Sequence, residues 1–475
     1  MRLSTTKVVY PGVSLVLALM SLLAFLTLAG LCNEARAATP IYVRTDGDDT
    51  ACNGTANAAY SPAAAPNCAL ATIQEGVFIV DPGGTVLVGA GTYTLGVSID
   101  RDVIVRGASA STTILDGERA RPGFYVGSGK RATIDRLTIR NCVSVYGGGI
   151  DNRGTLTVTN GVIIGNAATN DGDGGGILNL GGTLLISRTT VLSNTADRDG
   201  GGVSSLGDLT IMHSDIRWNT AKHGGGVHHT EGNLSILDST LRNNRAFGSG
   251  ASGGGIFNGA TAQLKRVTLS GNSAVYTGTV DDGIGGAIHT QESMTLTNCT
   301  ISGNRAGWGG AISNSGDHLF IASTSIVSNS VTPGSGGPGG INNYGSITMT
   351  YSILAHNDGA NCVNDESLVS AGHNLDSGNT CSLAAGGDLV NTDPRIAPLR
   401  DNGGRPTASG QPPETHALVG GSPAIDAGSD MGCPATDQRG VARPIDGDMD
   451  KVPKCDIGAY EFEPYGVYLP LVARQ

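Results

Sequence analysis

Apolar and polar positions recur along this chain with a long period. A Gly-Gly-Gly-Ile element ends at Ile150, and related elements end at Ile177, Val203, Val227, Ile256, Ile288, Ile312 and Ile341. The intervals are 27, 26, 24, 29, 32, 24 and 29 residues. Each unit then runs in the same order. A short strand comes first, often with Asn two residues past the apolar residue. A turn follows, then a strand such as Leu156–Val158, Leu184–Ile186, Leu209–Ile211, Leu234–Ile236, Met294–Leu296 or Ile347–Met349. A second apolar pair leads to an asparagine: Asn166, Asn194, Asn219, Asn244, Asn272, Asn304, Asn329 and Asn357. Alternation within the strands has period two, one side apolar and the other Thr, Ser, Arg or His. A unit with three such strands cannot bury its own apolar side, so the units must stack into a β-solenoid. No part of the unit shows the 3.6-residue period of a helix.

Upstream, Thr85–Val88, Val97–Ile99, Val103–Val105, Ile114–Leu115, Phe124–Val126 and Ala132–Ile134 read as less regular coils. Gln74–Val80 reads as a short amphipathic cap over the exposed first coil. Near residue 361 the Gly triplets end and Asp-Gly turns take over, marking a distal cap and an appended module. The stacked asparagines are expected to hydrogen-bond along the solenoid and to tolerate left-handed backbone at the corners. Cys142 takes the Asn position in the first regular unit.

Composition agrees with many short strands joined by turns: 73 Gly, 4% aromatic and 15% charged residues. The net charge of −11, with no Lys/Arg run, excludes nucleic acid as the expected partner. Arg2 and Lys7 precede an uncharged stretch, Val8 to Asn33, and an Ala35-Arg36-Ala37 cleavage signal. Residues 1–37 are thus expected to be a signal peptide, or an N-terminal anchor if uncleaved. Apart from Cys32, eight cysteines remain in the exported chain, where disulfides persist. Cys52/Cys68, Cys362/Cys381 and Cys433/Cys455 pair as local staples, and Cys142 and Cys299 stay free and buried.

The units GGGIDNRGTLTVTNGVIIGNAA, GGAIHTQESMTLTNCTISGNRA and GGAISNSGDHLFIASTSIVSNSV resemble right-handed parallel β-helix proteins of the pectate-lyase-like superfamily. Their Gly-Gly-Ala-Ile and Asn-x-Ala elements are similar to polymorphic outer membrane protein repeats. GGTVLVGAGTY resembles the opening coil of such proteins. The resemblance implies an all-β, right-handed parallel β-helix over 38–390, with an N-terminal cap and a small C-terminal module. NTDPRIAPLRDNGG, GGSPAIDAG, DQRGVARPIDGD and CDIGAYE resemble a choice-of-anchor Q region over 391–461, which implies placement in the envelope or outside the cell. The apolar tail, 462–475, is similar to sorting tails of exported proteins.

Candidate chemistry comes from register. Four residues before each motif's final Ile or Val stand Tyr146, Asp173, Asp199, His223, Ser252, Ile284 and Trp308. In a regular solenoid these stack about 4.8 Å apart. Asp173, Asp199 and His223 are the candidate catalytic residues. Tyr146 and Trp308 join them as a candidate ligand strip, acidic and on a flexible glycine-flanked loop, suited to a neutral glycan or one bridged by calcium. Asp171 and Asp197 stand nearby as helpers for a cation. His228 and His289, with Phe257 between them, are expected as surface histidines in an outward row. Asp446, Asp448 and Asp450 alternate like the start of a calcium loop, although Ile457 stands where such a loop needs Glu. Asp46, Asp48 and Asp49 form a lesser acidic group, and Asp281-Asp282-Gly283 is a fragment of a hydrolase motif without its partners. Calcium is the only cofactor suggested. The expected function is recognition or adhesion of glycans or envelope components by an exported monomer. It meets the membrane only through a terminal anchor. A polysaccharide lyase or glycoside hydrolase using surface carboxylates is the alternative, and a structural envelope protein without activity is another.

Overall fold

The computed structural model describes residues 39–276, 283–429 and 432–464. The signal-peptide segment, Asp281 and Asp282, and most of the apolar tail lie outside the described residues. The described residues from Pro40 onward form one compact unit. It is a right-handed parallel β-helix. Among the described residues no helix is long and apolar enough to cross a membrane.

Each regular coil carries four strands, not three. Following the chain from the glycines, face 1 is Ile150–Asn152, face 2 Thr155–Thr159, face 3 Val162–Ile164 and face 4 Ala167–Asp173. Coil by coil these build parallel sheets of 11, 13, 13 and 8 strands. Face 4 has little apolar periodicity to reveal it. Its inward residues are single alanines, Ala168, Ala196 and Ala221 in one cluster and Ala246, Ala274 and Ala306 in another. The other three faces direct Ile, Leu and Val into one continuous core, with Ile150, Ile177, Val203, Val227, Ile256 and Ile288 in register and fully buried.

Polar ladders turn the corners. Between faces 3 and 4 each asparagine from Asn166 to Asn329 donates from Nδ2 to Oδ1 of the asparagine one coil on, at 2.9–3.0 Å. The same Nδ2 reaches a face 3 carbonyl, as Asn219 does to Val191. Each Oδ1 also accepts the backbone N–H of its neighbour, as in Asn194 to Asn219. The ladder starts with the Cys142 N–H on Asn166 Oδ1. The left-handed backbone falls on the residue before each asparagine, for example Ser193, Trp218 and Ser328, and not on the asparagine itself. A second ladder between faces 1 and 2 links Asn152 to Asn179 and Asn179 to Ser205. A hydroxyl ladder between faces 2 and 3 links Thr189, Ser214 and Ser239.

The fourth corner, from face 4 to face 1, is glycine. Gly174 has φ +69, and a Cβ there would lie 2.5 Å from the Ile177 carbonyl oxygen. A Cβ on Gly175 would lie 2.2 Å from the Thr195 carbonyl oxygen of the next coil. No side chain fits, so the backbone folds inward and the corner is re-entrant.

Helix α1, Ile73–Ile79, caps the first coil with Thr72 as its N-cap. Disulfides join Cys52–Cys68, Cys362–Cys381 and Cys433–Cys455, and Cys142 and Cys299 are free and buried. After the last strand, Leu389–Val390, the chain returns along face 3. Gln438 bonds Thr268 and Thr300, His416 Nε2 meets Ser302 Oγ, and the Ala459 N–H donates to Ser325 Oγ. An Arg443–Glu461 pair, fully buried, ties this module together.

The amide ladder yields a stability prediction. Asn219→Ala removes the amide donor to the Val191 carbonyl, one of two donors to Asn244 Oδ1, and the acceptor shared by the Asn194 N–H and Nδ2, all in the interior. We expect a loss of about 3 kcal/mol, read from the guanidinium midpoint. A change below about 0.5 kcal/mol would show that the ladder is not a source of stability.

Candidate functional site

The re-entrant corner brings two rows of side chains against each other. The first is the row at the end of face 4. Tyr146 pairs with Asp173 beyond a bulge, the adjoining Gly174 N–H donates to the Asp199 carbonyl, and from Asp199 onward His223, Ser252, Ile284 and Trp308 follow in parallel register. Glycine N–H groups lock the row from coil to coil: Gly174 to the Asp199 carbonyl, Gly200 to His223, Gly224 to Ser252, Gly253 to Ile284 and Gly285 to Trp308. It is a hydrogen-bonded edge, not the flexible loop expected from the flanking glycines. The second row is the outward side of face 1: Asp151, Leu178, Ser204, His228, Phe257, His289, Ser313 and Asn342.

The glycine corner folds the second row under the first. His228 and His289 are therefore buried, 8% and 3% exposed, and are not surface histidines. His228 stacks on Phe257 with ring centroids 4.7 Å apart, and Phe257 lies 5.4 Å from His289 and 6.1 Å from His223. Burial, with a smaller contribution from the neighbouring His223, pushes the His228 imidazolium down to about 3 and that of His289 to about 4. Ser204 Oγ, Ser313 Oγ, Asn342 Oδ1 and Nδ1 of both histidines have no hydrogen-bond partner within the protein.

Arg198 offsets part of the strip's acidity. Arg198 forks onto both carboxylate oxygens of Asp173 and lies 3.3 Å from Asp199 Oδ2. The guanidinium thus occupies the position a bridging cation would take between Asp173 and Asp199, which removes the calcium bridge as a fit here. The sequence reading missed Arg198. Its one signal was position, immediately before Asp199 and one coil beyond Asp173. Asp199 is held above the usual carboxylate range by burial, against the opposing pull of His223, Arg198 and Lys222. His223 is held below its ordinary value by burial, and its Nδ1 lies 2.7 Å from Ser252 Oγ. At the surface of the corner Tyr146 is 54% exposed. Arg198 is also exposed there, and Phe257 and Trp308 are half-buried. Asp171 and Asp197 are exposed beside the row.

A separate acidic group lies in the C-terminal module. Asp446 and Asp448 come together with Asp426, one oxygen of each within 4.8 Å of the others, an arrangement that could hold a divalent cation. Asp450 stays outside this group and accepts the Val452 N–H. Asp426 was missed because it lies 20 residues earlier and arrives only through the return of the chain. Asp46, Asp48 and Asp49 serve local structure, pairing Arg44, closing a turn at Thr50 and holding the Ala71 and Thr72 N–H groups.

No protein-family model and no curated protein matches the chain. The choice-of-anchor Q resemblance over 391–461 therefore rests on its quoted motifs alone. Among solved structures, the crystal structure of pectate lyase Pel9A is 13% identical, with 89% of this chain and 96% of that chain covered at a TM-score of 0.47. The complex structure of XylC with xylose is 9% identical, with 88% and 98% covered at 0.48. Likenesses at this level assign no residue and no chemistry to this chain.

The buried histidines predict acid sensitivity. Their folded values lie below the unfolded value of 6.5. Stability that is full above 6.5 is therefore lost as the pH falls toward 4, where the unfolded chain takes up protons the buried rings refuse. Between pH 7 and 4.5 the wild type should lose roughly 3–5 kcal/mol more than a His228→Gln, His289→Gln variant in urea titrations. Equal losses would refute the burial of these rings.

Proposed function

We propose that the protein takes an extended neutral polysaccharide at this corner and hydrolyses a glycosidic bond lying beside Asp199. The observation that carries the reading is the pairing of unlike environments one coil apart. Asp199 sits in a buried setting that favours its protonated form, and His223 in one that favours the neutral ring. Such divergence suits an acid and a base. Asp199 donates its proton to the glycosidic oxygen as the C–O bond breaks. Water adds to the anomeric carbon and gives its proton to His223, from which it returns to Asp199 through solvent. The Arg198–Asp173 pair contributes no net charge, and the aromatic rings of Tyr146 and Trp308 offer flat surfaces to apolar sugar faces.

The test measures new reducing ends and polymer affinity together, on neutral β-linked polysaccharides. Asp199→Asn should lower chain scission by about 100-fold or more while leaving affinity within about twofold. Wild-type protein that binds the polymer and never shortens it would overturn the catalytic step and leave glycan recognition, the reading first favoured by the sequence. Export to an oxidising compartment is part of the same proposal, supported by the three disulfides.

A second reading concerns calcium. We propose that Asp426, Asp446 and Asp448 hold it, since Asp446 Oδ1 is buried without a partner and three carboxylates at this range repel one another. Calcium at 100 times its dissociation constant should stabilise the protein by about 2.7 kcal/mol, and Asp446→Asn should abolish the gain. An identical melting temperature in calcium and in chelator would dismiss it.

A further inference from the structure

We propose that the corner is a ruler for a linear polysaccharide laid parallel to the solenoid axis, one sugar to each coil, with Tyr146 and Trp308 as its two end platforms. This rests on the reading that the corner takes a neutral polysaccharide, and it adds the ligand's direction, length and point of cleavage.

Three observations carry it. The first is continuity. Tyr146 and Trp308 belong to one register row six coil steps apart, so they stand about 29 Å from each other at about 4.8 Å per step. An equatorially linked pyranose chain advances by slightly more than this per residue, so such a chain runs close to one sugar per coil. A ligand crossing the coils would meet only one or two of the stacked residues.

The second observation is where the row stops. Trp308 packs against Gly337 of the following coil, where a Cβ would lie 3.2 Å from the indole Cδ2. The next position therefore offers no side chain. At the other end Tyr146 opens face 4, whose first strand is Val143–Tyr146. Tyr125 lies one coil below Asp151 on face 1, exposed, with the Arg153 guanidinium 5.6 Å from its ring centroid. Aromatic surface thus marks both ends, and polar side chains fill most of the interval.

The third is charge. The Arg198 fork on Asp173 cancels the charge of that carboxylate, and the exposed Asp171 and Asp197 beside the row outnumber the exposed Lys222, so the row suits a neutral chain better than a polyuronate.

Asp199 is two steps from Tyr146 and four from Trp308. Cleavage beside it is therefore asymmetric. A chain filling the row yields a short piece of about two residues from the Tyr146 side and a longer one from the Trp308 side.

The experiment titrates cello-, manno- and xylo-oligosaccharides of increasing length against the full chain carrying Asp199→Asn, which keeps the ligand intact. Within the series that binds, affinity should rise at least about 10-fold from the dimer to the hexamer and level off at about seven residues. Adding the exposed Tyr146→Ala should weaken the heptamer about 10-fold and leave the trimer unchanged. Adding Trp308→Phe should preserve heptamer affinity, because the platform is aromatic surface rather than an indole N–H. If trimers bind as tightly as heptamers, or if Tyr146→Ala leaves the heptamer unaffected, the ruler falls while wild-type cleavage of the polymer keeps the proposed function standing. If none of the three series binds and no polymer is cut, both fall.

Discussion

Everything in this molecule depends on identical groups being stacked one coil apart. An asparagine buried alone would be costly, because its amide has two donors and two acceptor sites to satisfy. Repeated at the coil spacing, each amide satisfies the next, and the spare donor takes a face 3 carbonyl that the turn would otherwise strand. The repeat is thus what makes the polar corner affordable. In return, the corner keeps every coil in register with its neighbours over Asn166 to Asn357. Solenoids of this kind gain stability through neighbour contacts, so register is inherited from coil to coil.

The corner between faces 4 and 1 follows from that inheritance. Glycine at the fourth corner removes the side chains that would hold faces 4 and 1 apart, and the backbone folds inward. Two rows meet in the fold. Neither row is unusual by itself. Their meeting buries His228 and His289, raises Asp199 and places Arg198 over two carboxylates. The chemistry is therefore a property of the stack and not of any one coil.

Much of this was legible in the sequence. The interval between glycine triplets established the coil, and counting back four residues aligned Tyr146, Asp173, Asp199, His223 and Trp308, which the structure places in one row. Three things were not legible, each for a physical reason. Face 4 uses alanine, whose small apolar surface leaves no strong alternation. The burial of His228 and His289 is decided by glycine backbone conformation, and a hydrophobicity pattern carries no record of φ. Arg198 reaches back a full coil with a long side chain, and reach does not appear in register. The Asp426, Asp446 and Asp448 group shows the same limit, since Asp426 lies far from the other two in sequence and meets them only in the folded module.

The proposed axial binding row rests on coil stacking. The most direct measurement is a crystal structure of the Asp199→Asn protein with a neutral heptasaccharide. The expected result is one sugar chain parallel to the solenoid axis, rings on Tyr146 and Trp308, and a glycosidic oxygen beside residue 199. A chain lying across the coils, or bound on face 2 with the corner empty, would contradict it.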